Sequence, residues 1–100
     1  AWPAVNLGSS TAYSAVGWYF VVSCWDATNS LLYVQGVQDC VAGAGVTVSN
    51  TTGELWLGRS VNNDNYTWGG GQALYRILNI KWTAFDVQNT FNQERHLFGV

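Results

Sequence analysis

The residues whose types and spacing could do chemistry are concentrated in one stretch, Val61 to Gln72, VNNDNYTWGGGQ. It joins two large aromatics, Tyr66 and Trp68, to a carboxylate, Asp64, to the primary amides of Asn63, Asn65 and Gln72, and to the run Gly69-Gly70-Gly71. A sugar presents an apolar face of C–H groups that packs on a flat ring, and a rim of hydroxyls that suits amides and carboxylates. In that chemistry Asp64 is the anchoring acceptor, Trp68 or Tyr66 the stacking platform, and Asn63, Asn65 and Gln72 the hydroxyl partners. The glycine run, with Gly70 at its centre, lets backbone N–H groups come close. A second set, Trp25, Asp26, Thr28 and Asn29, repeats the mixture. The plainer alternative for 61–72 is a turning surface loop, although unstructured connections longer than about 12 residues are uncommon in compact domains. A glycan on the sequon at Asn65 would cover the first site and move the expectation to Trp25 and Asp26.

Other chemistries lack parts. A serine or cysteine triad needs a base, and the single histidine, His96, stands beside Glu94 and Arg95 near the C-terminus, where an exposed polar pair is the simpler reading. Glycoside hydrolysis needs two opposed carboxylates, and Asp26, Asp39, Glu54, Asp64, Asp86 and Glu94 form no motif for it. Asn62, Asn63, Asp64 and Asn65 cluster oxygen ligands, but one carboxylate among amides is little charge for calcium, and the EF-hand spacing is missing. A structural zinc site wants four nitrogen or sulfur ligands, more than one histidine and two cysteines supply. A non-enzyme without cofactor or metal is expected. Lys81, Arg59, Arg76 and Arg95 are scattered in a chain of net charge −2, so no basic patch for nucleic acid or anionic membrane can be assembled. No apolar run approaches the roughly 20 residues that span a bilayer.

Positioning such residues falls to a single domain over residues 1–100, which is the usual size of one core. Charged residues are 10% and aromatics 15%, so the surface must be built largely from Ser, Thr, Asn, Gln and Gly. The expected class is mostly β: a small antiparallel sheet or sandwich of about five to six strands, with a short C-terminal helix as an option. Ala1–Thr11 reads as an irregular arm in which Trp2 plugs into the body. Tyr13–Trp25 is rich in aromatic and β-branched residues and reads as one long strand, apolar on both parities, with a bulge at Gly17. DATNS, residues Asp26–Ser30, closes a hairpin onto a strand Leu31–Val37. VAGAG, Val41–Gly45, is small and flexible, and Val46–Gly58 folds as a hairpin about Asn50-Thr51-Thr52-Gly53. Ala73–Phe85 alternates as a half-buried strand. The tail Asp86–Val100 is either a helix N-capped by Asp86, with Val87, Phe91 and Glu94 on one side, or ends in a strand His96–Val100. Trp18, Trp56 and Trp82, all inside these strands, are expected in the core.

Cys24 and Cys40 are the only cysteines, and an even count in a small chain favours a disulfide, worth about 3 kcal/mol by loop entropy. Two reduced thiols are the alternative. With two sequons, at Asn50 and Asn65, the disulfide suggests a secreted, extracellular protein, a cytosolic one remaining open. A chain that opens on Ala1 and holds no methionine is expected to have lost its initiator, alone or with a signal peptide.

In its size, low charge, Trp- and Asn-rich β pattern and single cysteine pair, the chain resembles the small lectins of mushroom fruiting bodies, in particular the galactosyl-binding family typified by the Lyophyllum decastes lectin. The resemblance is one of general character over the whole chain, and it implies a galactosyl-type glycan as ligand and a homodimer. A dimer is expected independently, because 48% hydrophobic residues in so small a chain would leave apolar area exposed. Two copies would give the bivalency that lets a weak lectin cross-link glycans. The rival class is a small secreted defence or effector protein using the same aromatics against a protein or membrane partner.

Overall fold

A computed structural model describes residues 11–40, 43–45, 57 and 69–100. The chain divides into two compact units, one formed by Ala1–Thr47 and Asn79–Val100, the other by Val48–Leu78. The hairpin expected over Val46–Gly58, the arm up to residue 10, both sequons and Trp56 lie outside the described residues, apart from Leu57.

The first unit is one antiparallel sheet and one helix. Strand β1 is Val21–Trp25 and β2 is Asn29–Val34, paired from Val21 with Val34 to Trp25 with Ser30. Two short strands, β3 (Val37–Gln38) and β4 (Gly43–Ala44), run along the other side of β2. Tyr33 pairs with Gln38, and Ser30 with Gly43. Among the described residues there is this one sheet of four strands, an antiparallel β body with a helix, and no second sheet that would make a sandwich.

The hairpin at DATNS forms as expected, but the strand after it stops at Val34 rather than reaching Val37. Gln35 and Gly36 take φ of 53° and 82°, which is the two-residue turn that suits the twist of adjacent strands. The Gln35 side chain makes this unusual backbone worthwhile. Its Oε1 accepts from Phe20 N at 2.9 Å, its Nε2 donates to Trp18 O at 3.3 Å, and its own N–H donates to Phe20 O at 2.9 Å. The sheet therefore extends one residue beyond β1 through a side chain. Tyr13–Trp25 is not one long strand: only Val21–Trp25 pairs, and residues 15–17 bend around Gly17, which has open space about it instead of a bulge partner.

Helix α1 spans Ala84–Glu94 and continues as a 3₁₀ turn, Arg95–Leu97, so neither a strand to Phe85 nor a terminal strand from His96 forms. Its cap is Thr83, not Asp86. The Thr83 hydroxyl accepts from Asp86 N at 3.2 Å while Asp86 Oδ2 accepts from Thr83 N at 2.9 Å, a reciprocal capping box that leaves neither end group bare. Thr83→Ala should cost about 1 kcal/mol in urea unfolding. Val87 and Phe91, four apart, are the buried face, with Val87 fully buried. They cover the sheet face that carries Cys24 and Tyr33, with Phe20, Val22, Leu31 and Trp82 packed around. Trp82 thus lies against the core, while Trp18 is partly exposed and rests on Phe98, ring centroids 4.9 Å apart.

Cys24 and Cys40 are free thiols, a correction to the expected disulfide. Register supplies the reason. Cys24 pairs with Leu31 on one side of β2, whereas the Cys40 thiol lies on the other, accepting from Leu32 N at 3.0 Å. Two inter-strand spacings, about 9.5 Å, separate such positions, beyond the roughly 7 Å across which a disulfide closes. Mass spectrometry after alkylation should count two thiols. Cys40 should react first, since burial pushes the Cys24 thiol pKa up and shields it.

In the second unit none of the described residues is in a strand. The alternation over Ala73–Phe85 marks no buried face: Leu74 and Ile77, on opposite parities, are both exposed, and Leu74 adopts φ of 55°.

Candidate functional site

Of the two sets singled out in the sequence, Asn63, Asp64, Asn65, Tyr66 and Trp68 lie outside the described residues. Gly70 and Gln72 are described and exposed. The second set, Trp25, Asp26, Thr28 and Asn29, is brought together at the β1–β2 tip.

Trp25 is the last residue of β1, opposite Ser30, with 42% of its surface exposed. Asp26 builds the turn that follows. One carboxylate oxygen accepts from Thr28 N and from Asn29 N, both at 2.7 Å, while Asp26 N donates to Asn29 O at 2.9 Å. The other oxygen takes Lys81 Nζ at 2.8 Å. With a lysine and two backbone amides all favouring the anion, the carboxyl pKa falls from 3.8 to about 2. Asp26 is therefore spent on the turn, whereas the side chains of Thr28 and Asn29 make no hydrogen bond among the described residues. From behind, Gly45 presses on the tip: a Cβ there would overlap the carbonyl carbon and oxygen of Ala27 and the amide nitrogen of Thr28.

The Asp26 pKa fixes a pH response. A carboxyl depressed in the folded state stabilises above its unfolded pKa near 4, and that contribution is lost as pH falls towards 2. The urea midpoint should drop through this window. Asp26→Asn should flatten the drop, keeping an acceptor for the turn while losing the lysine. High salt should blunt the effect in the native protein, because the pair is exposed.

Asp39 forms a further polar node. It accepts from Thr11 Oγ1 at 2.9 Å and from the Tyr13 hydroxyl, whose hydrogen bond lowers the Asp39 pKa and raises that of Tyr13. Tyr13 meets Tyr19 edge-on, centroids 5.1 Å apart. The sequence alone gave no signal for this node, since the partners lie 26 and 28 residues apart.

No protein-family model, curated protein or solved structure matches the chain. Among the described residues no three His, Cys, Asp or Glu side chains gather as a metal site, and no helix is long and apolar enough to cross a membrane.

Proposed function

We propose that this protein is a lectin, a carbohydrate-binding protein without catalytic machinery, taking galactosyl-type glycans. The observation that carries the reading is the β1–β2 tip. An exposed indole, Trp25, ends β1 at a turn that Asp26 and Gly45 hold in place, and the side chains of Thr28 and Asn29 on that turn make no hydrogen bond among the described residues. A platform with nearby hydroxyl partners, ordered before the ligand arrives, loses little entropy on binding. The 61–72 loop offers the same chemistry in sequence, and the two sites would act in a homodimer that cross-links glycans. A glycan array with wild type, Trp25→Ala and Trp68→Ala tests the reading. Galactosyl binding weakened by either substitution supports it, and silence of the wild type across the array sinks it. Sedimentation at an 11.0 kDa monomer mass would remove the dimer.

The second reading, a small effector protein that binds a protein partner, draws on exposed aliphatic side chains that a sugar has no use for, Ile77 and Ile80 among them.

A further inference from the structure

The geometry points to a separate sugar subsite in the cleft between β3 and the first turns of α1, a site for one neutral pyranose residue with an apolar face. This rests on the lectin reading. The cleft holds about 390 Å³ and is lined by Tyr33, Val37, Gln38, Ala84, Phe85 and Gln88. That is within the range of about 300–1,000 Å³ for small-molecule sites.

Its shape follows from the fold. Tyr33 and Gln38 are register partners and so stand on the same face of the sheet, the one α1 covers. Gly36, also on the lining, has no side chain, and this lets Phe91 close in where a Cβ would lie 2.9 Å from its Cδ1. Val87 and Phe91 bury on the core side of α1, which leaves Ala84, Phe85 and Gln88, from its first two turns, to face the opening.

The chemistry of the lining narrows the occupant. Among the described residues that line it none is charged, so none of them compensates a phosphate, a carboxylate or an ammonium. Phe85, 73% exposed, offers an uncovered ring. Two primary amides, of Gln38 and Gln88, share the lining with it. Gln38 Nε2 donates to Cys40 O at 3.1 Å, which orients that amide and leaves its oxygen to accept. The Gln88 amide makes no hydrogen bond among the described residues. An uncovered ring and two amides in one lining, with no charge among its described residues, match the C–H face and hydroxyl rim of a neutral sugar. They match a lipid tail or a cationic peptide less well, because amides would be desolvated by the first and no carboxylate answers the second.

The test is a titration of ¹⁵N-labelled protein with D-galactose, D-glucose and N-acetylglucosamine, followed by amide and aromatic chemical shifts. The expected result is a saturable movement of the Gln38 and Gln88 side-chain amides and the Phe85 ring. Gln88→Ala should weaken it about three- to tenfold, as loss of one hydrogen bond would. Phe85→Ala should weaken it by a similar factor or more. Both side chains are exposed, so the variants should stay folded. Shifts confined to the β1–β2 tip or to the 61–72 loop, with the cleft signals unmoved, overturn the cleft and leave the lectin reading standing. If no sugar moves any signal and the array is also silent, both fall. Equal affinity of Phe85→Ala and wild type at the cleft signals likewise overturns the subsite.

Discussion

Replacing Phe91 by alanine is expected to destabilise the first unit by about 3 to 5 kcal/mol, the cost of removing a buried aromatic that its surroundings cannot fill. The ring joins three elements. Its centroid is 5.8 Å from that of Phe20, which leads into β1, and the Arg95 guanidinium lies 4.8 Å from it on the outer side. On the third side it fills the space beside Gly36 in the β2–β3 turn. Urea unfolding should give a lower midpoint at unchanged slope. Gly36→Ala provides an internal control. In the wild-type background it suffers twice: φ of 82° strains any side chain by about 1 kcal/mol, and its Cβ meets Phe91 at 2.9 Å. In the Phe91→Ala background only the backbone strain remains, so the two substitutions should not add. An equal cost for Gly36→Ala in both backgrounds would mean that the turn and the helix are not packed as described.

The elements that could be read from the chain are those specified locally. Asp26 closes its turn with its own carboxylate, and Val87 and Phe91 announce a helix by spacing, so hairpin and helix both form near their expected places. The misread elements depend on partners far along the chain or on rare backbone. Gln35 is not a residue normally expected at positive φ, and its reason for being there, the amide bonds to Trp18 and Phe20, spans up to 17 residues. LLYVQGV therefore reads as one strand from sequence alone. Thr83 was hidden inside an apparent alternation, although Thr83-Ala84-Phe85-Asp86 has the spacing of a capping box. The cysteines illustrate the limit of counting: an even number says nothing of register, and register puts β2 between them. At the tip, residue types were legible and roles were not. Asp26 has the type of a ligand acceptor, but Lys81 and two backbone amides have already claimed it.

Gly45→Ala is the substitution that most directly couples fold to the proposed site, and it should cost about 3 kcal/mol, at the upper end for overpacking. The three atoms nearest its added methyl are all backbone, the carbonyl carbon and oxygen of Ala27 and the nitrogen of Thr28, and a methyl has no rotamer by which to avoid them. Either β4 must lift away from β2, breaking the pairs Asn29 with Ala44 and Ser30 with Gly43, or the turn must move. Both routes disturb the bonds from Asp26 to Thr28 and Asn29, so the amide signals of those residues should shift even at temperatures where the variant is fully folded. A lectin site at Trp25 should then lose affinity beyond any loss of folded protein, while the β3–α1 cleft, lined by none of these residues, should keep its own. An unchanged urea midpoint for Gly45→Ala would contradict the close approach itself. A lowered midpoint with intact glycan binding in the folded fraction would instead move the site away from the tip.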